Sequence, residues 1–256
     1  MIHTSPLPDV EIPDLPLAAF VLARAAELGD KPALVDGPTG RTITFAQLDD
    51  QVRRLAGGLQ ARGFGPGQVL ALMAPNLPEY AVVFLGVAAA GGTITTINPT
   101  YTDHEVNHQL TDAGASILIT VPMFLETARK AAEGTGVTEI FVLGEATDGA
   151  PSASELLGEP IAETATTGPD DLVVAPYCSG TTGLPKGVML TNRNLVANIV
   201  QVADPAEITE DDVIIAVLPF FHIYGMQVLM NTGLQRGATV VTMPRFDLEE
   251  FLRLHQ

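Results

Sequence analysis

Residues 69–97, VLALMAPNLPEYAVVFLGVAAAGGTITTI, predict the fold class of the chain. Two short apolar and β-branched runs, at 69–73 and 93–97, have the length and composition of buried strands. Between them, residues 76–79 (NLPE) carry helix-start residues, and residues 81–91 are apolar on every side but too short to span a bilayer. We therefore expect a strand, a buried helix capped by the NLPE stretch and a parallel strand, which is the unit of an α/β sheet.

The alternation of strand and helix continues along the chain. The predicted strands are 33–36, 42–44, 69–73, 93–97, 116–120, 139–143, 172–177, 188–190, 213–217 and 238–243. The predicted helices are 15–28 with Asp14 as N-cap, 44–61, one from 76, one from 103, one after 122, 192–202, 226–235 and one from 247. This pattern predicts an α/β fold with mostly parallel sheets layered with helices.

Residues 145–170 divide this pattern, because they are rich in Gly, Ala, Ser, Thr and Pro and show no clear periodicity. We interpret them as a connecting loop. The first α/β portion is then residues 1–170, and residues 171–256 form a second portion that contains a glycine-rich loop.

The charge balance is strongly acidic, with 30 Asp and Glu against 13 Lys and Arg and a net charge of −17. Such a surface repels nucleic acid and anionic membranes, so neither is expected as a partner. The one cysteine, Cys178, cannot form a disulfide within the chain, and the N-terminus lacks the basic and apolar regions of a secretory signal. Together these features predict a cytoplasmic protein.

The glycine-rich loop, residues 177–187 (YCSGTTGLPKG), has the composition of a phosphate-binding site. Its glycines let backbone N–H groups approach phosphate oxygens, its hydroxyl groups add donors, and Lys186 adds a positive charge. It is not a Walker A loop, since Pro185 precedes the lysine and Gly187 follows it. Composition alone is equally compatible with a flexible surface turn between two strands.

A second candidate site is the H-E-x-x-H pattern formed by His104, Glu105 and His108. On a helix this spacing can bind zinc, with the glutamate as general base. However, Thr102 and Glu105 also have the spacing of a capping box, which gives the glutamate a structural role. We therefore favour an exposed helix start and keep a zinc hydrolase as a remote alternative.

Three ordered motifs are shared with a known family. Residues 177–191, residues 218–225 (LPFFHIYG) and residues 243–247 (MPRFD) resemble signature motifs of the adenylate-forming superfamily, and residues 98–102 (NPTYT) are similar to a fourth. This superfamily contains acyl- and aryl-CoA synthetases, luciferases and peptide-synthetase adenylation domains. The chain looks most like 4-coumarate–CoA ligases and related bacterial acyl-CoA ligases.

This resemblance implies a two-step reaction that uses ATP, Mg²⁺ and coenzyme A. A carboxylate attacks the α-phosphate of ATP to give an acyl-adenylate, and the thiol of coenzyme A then displaces AMP to form a thioester. The partners would be a small carboxylic acid, ATP and coenzyme A. The implied fold is part of the large N-terminal domain of the adenylate-forming enzymes.

The resemblance also assigns the phosphate-binding residues. The residues implied to bind ATP are Cys178, Ser179, Gly180, Thr181, Thr182, Gly183 and Lys186. Lys186 is implied to be catalytic as well, and Thr182 is the implied Mg²⁺ ligand. Cys178 stands where relatives mostly carry Ser or Thr, so a weaker thiol donor replaces a hydroxyl donor.

The other two motifs supply the residues implied for the acid and for coenzyme A. His222 is implied to be catalytic and to border the acyl pocket near the α-phosphate, and Tyr224 and Gly225 to shape that pocket. Arg245 stands where relatives often carry a lysine that contacts coenzyme A. The alternatives are core packing for His222 and Tyr224 and a solvated surface cation for Arg245.

The chain departs from the family's sequence pattern in two respects. Asn192 occupies a position often filled by histidine in the family, with no predictable effect. The family's downstream motifs, which supply the adenine pocket, further Mg²⁺ and ribose ligands and a lysine on a mobile C-terminal domain, do not follow Met243. We therefore expect a truncated N-terminal piece that is inactive alone, and a non-catalytic phosphate-binding module is the alternative.

Overall fold

The computed structural model describes residues 8–178 and 185–256, which form two layered sheets, a small hairpin and the helices around them. The strands are β1 (Pro32–Asp36), β2 (Thr42–Thr44), β3 (Val69–Met73), β4 (Thr93–Ile97), β5 (Ala115–Thr120), β6 (Glu139–Val142), β7 (Leu172–Val174), β8 (Tyr177–Cys178), β9 (Lys186–Gly187), β10 (Leu190–Thr191), β11 (Val213–Ala216) and β12 (Thr239–Thr242).

The helices follow the alternation expected from the sequence. They are α1 (Leu17–Val21), α2 (Ala25–Leu28), α3 (Phe45–Ala61), α4 (Pro78–Ala89), α5 (Asp103–Ala113), α6 (Leu125–Ala132), α7 (Asn192–Ala203), α8 (Gly233–Arg236) and α9 (Leu248–Leu254). Pro122–Phe124 and Ala153–Leu156 are single turns of 3₁₀ helix. Gly225–Thr232 is π-helical and runs directly into α8.

The larger sheet has six strands in the order β10-β7-β4-β3-β5-β6, and only the β10–β7 pair is antiparallel. Side chains of β3 alternate between its two faces, as strand geometry requires. Leu70 and Leu72 join the main core with α3 and α4, whereas Ala71 and Met73 pack with α5 and α6. The sheet is thus covered on both faces, and the predicted mostly parallel α/β fold is confirmed.

Helix α4 lies in the centre of the core, and each of its residues except Glu79 is buried. A helix that is apolar all round belongs in such a position. Gly86 lets α3 approach closely, because a Cβ there would lie 2.6 Å from Cδ2 of Leu55. Within the described ranges, no helix has both the length and the apolar character needed to cross a membrane.

The smaller sheet has four strands in the order β11-β12-β1-β2. Strands β11, β12 and β1 are parallel, and β1 and β2 form the predicted antiparallel hairpin. Because β1 and β2 precede residue 170 and β11 and β12 follow it, both predicted portions of the chain contribute to this sheet. The division at residue 170 itself remains a prediction.

Residues 156–162, within the predicted connecting loop at 145–170, pack along α3. The backbone N–H of Gly158 donates to the carbonyl of Arg54 at 2.9 Å. Gly58 on α3 leaves room for this segment, because a Cβ there would lie 1.7 Å from the carbonyl oxygen of Leu156. The loop therefore forms part of the packed domain.

The predicted helix at 15–28 is broken into α1 and α2, and its predicted N-cap is wrong. The N-cap residue is Pro16, so Asp14 lies too early in the chain to cap, and it pairs with Arg193 at 2.9 Å instead. The first helical N–H, on Leu17, donates to Oδ1 of Asn192 at 2.8 Å. A distant buried amide therefore performs the capping that local sequence assigned to the aspartate.

The predicted strand at 172–177 is also interrupted. Strand β7 ends at Val174, and Pro176 cannot donate a ladder hydrogen bond. The chain leaves the large sheet there, and β8 pairs with β9 in a separate two-stranded hairpin. The predicted strand at 188–190 is correspondingly replaced by β9, which ends at Gly187, and by β10, which begins at Leu190.

Candidate active site

Asn76, directly after β3, holds the segment that leads into residues 218–225. Its predicted role in capping α4 is wrong, since α4 has no side-chain cap. The buried amide donates instead to the carbonyls of Ala216 and Leu218, each at 2.9 Å, and its Oδ1 accepts from the N–H of Phe220 at 2.8 Å. The Asn76 side chain therefore binds three backbone groups of a segment that lies 140 residues or more along the chain.

Thr95 and Thr96, near the end of β4, connect two of the sequence motifs. The Thr95 hydroxyl donates to the carbonyl of Ala175 at 2.8 Å, and the Thr96 hydroxyl donates to the carbonyl of Phe221 at 3.0 Å. Gln109 on α5 donates to Oγ1 of Thr95 at 2.8 Å and to the carbonyl of Thr96 at 3.0 Å. Adjacent residues of one strand thus anchor the chain just before β8 and just before the motif histidine.

These contacts lie at the carboxyl ends of the parallel strands β3 and β4. In open α/β sheets, ligands bind outside this edge. The four side chains that hold the motif backbones there are buried, with exposures of 3% or less: Asn76, Thr95, Thr96 and Gln109. This edge of the sheet has the position expected of an active site. The four buried side chains beneath it are called the polar base of the site.

The predicted phosphate ligands can be followed only at the two ends of the loop. Ser179, Gly180, Thr181, Thr182 and Gly183 lie outside the described residues, and so does the predicted Mg²⁺ ligand among them. Cys178 pairs with Lys186 in the β8–β9 hairpin, and both residues are exposed. The hairpin therefore brings the two ends of the loop together and leaves Lys186 accessible to a ligand.

The motif at residues 218–225 contains His222, which is exposed and has its ring centroid 4.6 Å from that of Phe221. The π-helical segment that follows is a form often found at functional sites. Tyr224 is 56% exposed, whereas Gly225 is buried against backbone, and a Cβ there would lie 2.2 Å from the carbonyl oxygen of Pro219. The glycine thus lets the chain fold back on itself, and a pocket-lining role for these residues stays a prediction.

Arg245 is exposed on the connection between β12 and α9, next to Phe246, which is 61% exposed. Its predicted contact with coenzyme A stays a prediction.

The H-E-x-x-H pattern is used for capping. Glu105 accepts hydrogen bonds from the N–H and the hydroxyl of Thr102, both at 2.8 Å, and these bonds lower the pKa of the Glu105 carboxyl. The predicted capping box is confirmed. In residues 8–178 and 185–256, no three His, Cys, Asp or Glu side chains are grouped so that they could hold a metal ion. The zinc alternative, built on His104, Glu105 and His108, therefore gains no support.

The sequence profile of a family described as AMP-binding enzyme matches residues 21–256. The chain belongs to this family. Similar curated proteins include 4-coumarate–CoA ligase 3 of Oryza sativa subsp. japonica, which is 42% identical over 254 residues, or 97% of this chain and 46% of that protein. The 4-coumarate–CoA ligase of Pinus taeda is 38% identical over 272 residues, which cover 100% of this chain and 49% of that protein.

Solved structures of two similar proteins have the same fold. A long-chain-fatty-acid–CoA ligase from Archaeoglobus fulgidus superposes with a TM-score of 0.90 at 29% identity, covering 98% of this chain and 52% of that one. ATP-bound MatB from Rhodopseudomonas palustris superposes with a TM-score of 0.78 at 34% identity, covering 92% of this chain and 47% of that one. The chain spans about half the length of the curated relatives it matches, and the resemblance inferred from its motifs is confirmed.

Sequence reasoning missed the polar base of the site. The sequence predicts Thr95 and Thr96 only as strand residues, assigns no role to Gln109, and places Asn76 in the start of α4. The sequence carries no clear signal for the polar base, because threonine is common in strands and most residues of α5 are polar.

Proposed function

We propose that the full-length protein containing this chain is an ATP-dependent acid–thiol ligase that converts an acyl or aryl carboxylate into its coenzyme A thioester. Membership of the AMP-binding enzyme family is the observation that carries this proposal. The similarity to proteins named 4-coumarate–CoA ligases supports an aromatic or other organic acid as substrate.

In the first step, a carboxylate oxygen attacks the α-phosphorus of ATP. An oxygen–phosphorus bond forms, the bond to the bridging oxygen of the β-phosphate breaks, and pyrophosphate leaves. Both reactants are anions and the chain carries a net charge of −17. Hydrogen-bond donors and cations in the site must therefore overcome the negative electrostatic potential of the whole chain. Charge stabilisation and positioning supply most of the catalysis.

In the second step, the sulfur of coenzyme A attacks the acyl carbon of the adenylate, the bond to the AMP oxygen breaks, and the thiol proton goes to solvent or a base. The thioester and AMP are the products. Arg245 is the residue of this chain proposed to contact coenzyme A.

The loop at 178–186 is proposed to bind the β- and γ-phosphates, with Lys186 stabilising charge as pyrophosphate departs. Thr182 would be the residue of this chain that holds Mg²⁺, because a hydroxyl oxygen is a hard ligand of the kind this ion prefers, and the ion would supply positive charge beside the phosphates. His222 is proposed to orient the carboxylate near the α-phosphate, beside Tyr224 and Gly225. The anchoring of both motifs by neighbouring threonines of β4 supports a common site.

Acid-dependent exchange of pyrophosphate into ATP tests this proposal. The full-length protein should catalyse exchange with at least one member of a panel of cinnamic, benzoic and fatty acids, and coenzyme A should then yield the matching thioester and AMP. The 256-residue chain alone should not catalyse exchange, because it spans about half of its relatives' length. Absence of exchange by the full-length protein with every acid would contradict the ligase, and rapid exchange by the 256-residue chain would contradict its incompleteness.

A further inference from the structure

The phosphate loop is the loop at 178–186 that is proposed to bind the phosphates of ATP. Helix α5 contacts the chain at the N-terminal end of this loop. The phenol of Tyr177, the first residue of β8, donates to Oδ2 of Asp112 on α5 at 2.5 Å. Tyr177 is 9% exposed, and burial together with this hydrogen bond raises the pKa of its phenol. The phenol therefore keeps its proton near neutral pH and remains a donor to the carboxylate.

The same helix contacts the C-terminal end of the loop. Nε2 of His108 lies 3.3 Å from the carbonyl oxygen of Pro185, to which it donates in the tautomer protonated at Nε2. The His108 ring also meets the Tyr177 ring edge to face, with centroids 6.4 Å apart and an interplanar angle of 89°. One imidazole thus contacts residues on both sides of the loop.

The spacing along α5 explains why these contacts occur together. His104, His108 and Asp112 are four residues apart and share one face of the helix. Two residues of this face, His104 and His108, line a cavity of about 20 Å³ together with Tyr177 and Pro185, which has room for about one water molecule. The histidine spacing that suggested zinc therefore marks the helix face that packs on the loop.

The hairpin is shaped to keep the tyrosine in this position. Tyr177 is opposite Gly187 in the β8–β9 pair, and a Cβ on that glycine would lie 3.1 Å from Cε2 of the tyrosine ring. A side chain at this position would require the tyrosine ring to shift by a few tenths of an ångström. Close packing against Tyr177 therefore favours glycine after Lys186.

We propose that Asp112 and His108 are positioning residues that hold the two ends of the phosphate loop, through Tyr177 and Pro185, in the geometry that binds ATP. This inference rests on the proposed function, because the loop is taken to bind the ATP phosphates. A loop ordered before binding loses less conformational freedom when its ligand arrives. The anchors act on ATP binding and adenylation, since pyrophosphate has left before the thiol reacts.

Variants of the full-length protein test this role by separating the KM values of the three substrates. Asp112→Ala, Tyr177→Phe and His108→Phe should each raise the KM for ATP in pyrophosphate exchange by about 3- to 10-fold, the scale of one hydrogen bond. The KM values for the acid and for coenzyme A should stay unchanged. His108→Phe keeps a ring against Tyr177 and removes only the N–H donor.

Three controls distinguish positioning from general damage to the fold. Asp112→Asn keeps an acceptor oxygen and should restore a nearly wild-type KM for ATP. The double variant Asp112→Ala/Tyr177→Phe should be no worse than either single variant, because both remove the same hydrogen bond. His104→Ala changes the same helix face but, among the described residues, removes no hydrogen bond to Tyr177 or Pro185, and should leave the KM for ATP unaltered.

A second readout does not depend on activity. Trypsin cleavage after Lys186, followed by mass spectrometry, should be about 3- to 10-fold faster in Asp112→Ala and Tyr177→Phe than in the wild type, because cleavage follows the population of the opened segment. If the wild type exchanges pyrophosphate while these variants keep its KM for ATP, or change all three KM values alike, the anchoring role is wrong. If the wild type shows no exchange with any acid, the proposed ligase is wrong, and an unaltered cleavage rate in the variants would then also overturn the anchor.

Discussion

The base of the candidate site and its reactive surface differ in their access to solvent. The base consists of buried polar side chains whose hydrogen bonds go to backbone and to one another: Asn76, Thr95, Thr96 and Gln109. The side chains proposed to meet substrates, Lys186, His222 and Arg245, are exposed. The buried set can shape the site only through the backbone that it holds, whereas the exposed set can act on ligands directly. Changes in the base should alter stability together with activity, and changes at the surface should alter activity alone.

The largest effect is expected for Lys186→Ala in the full-length protein. Removing the charge that is proposed to stabilise the departing pyrophosphate should lower kcat/KM for adenylation by about 100-fold. The melting temperature should stay unchanged, because the side chain is exposed. Steady-state pyrophosphate exchange and a thermal melt measure the two quantities.

Lys130→Ala is the matched control for this variant. Lys130 is also exposed, and its ammonium is paired with Glu126 at 2.7 Å on α6. Its loss should leave exchange intact. Equal losses of activity in the two lysine variants would remove the distinction between the loop lysine and the general surface charge.

A smaller effect on activity, accompanied by a loss of stability, is expected for Asn76→Ala. The substitution leaves the N–H of Phe220 and the carbonyls of Ala216 and Leu218 without their partner. Unsatisfied buried groups of this kind lower the free energy of unfolding by about 2–3 kcal/mol. Because these groups hold the segment before His222, the KM for the acid should rise as well.

Asn192→Ala is a comparison variant away from this segment. Asn192 is equally buried, with Oδ1 accepting from Leu17 and Nδ2 donating to Thr167 at 3.1 Å and to Gly168 at 3.0 Å. Its loss should also lower the free energy of unfolding by about 2–3 kcal/mol. The KM for the acid should not change in this variant. Denaturant unfolding and acid titrations of both variants therefore test whether Asn76 affects the site or only the fold.

The two asparagines also show how far the sequence alone could predict the structure. The unit β3–α4–β4 was predicted to within a few residues, because buried strands and an all-apolar helix follow from local composition. The hydrogen bonds of Asn76 reach 140 residues or more along the chain, and that of Asn192 to α1 spans 175. No local pattern contains such partners, so a residue with good capping chemistry was assigned to the nearest helix.

The motifs of the candidate site could be predicted from the sequence, whereas its polar base could not. Its motifs were found by resemblance, and the family assignment is confirmed by the match over residues 21–256. Its polar base was not found, because threonine is a common strand residue and its presence in β4 signals nothing special. The end of β7 before Pro176 could have been expected, because proline has no N–H to donate to the sheet. The pairing of β8 with β9 outside the large sheet could not.

The smallest effect is expected for Glu105, an exposed residue of α5 that has no part in either set. Hydrogen bonds from Thr102 lower the pKa of the Glu105 carboxyl in the folded protein. A lowered folded-state pKa means that this contribution to stability is present above the unfolded pKa and is lost as the pH falls through the folded one. In Glu105→Gln, the decline of the melting temperature from about pH 6 to about pH 3 should therefore be slightly shallower than in the wild type.

Glu126→Gln separates this cap from an ordinary surface ion pair. The pKa of Glu126 is also lowered, by its hydrogen bond and charge interaction with Lys130. Salt at about 1 M screens an exposed ion pair strongly, so the difference between Glu126→Gln and wild type should shrink under that condition. The Glu105→Gln difference should persist, because its carboxylate binds the N–H and hydroxyl of Thr102, which carry no formal charge. Loss of both differences in salt would mean that charge, and not capping geometry, sets the acid sensitivity at the start of α5.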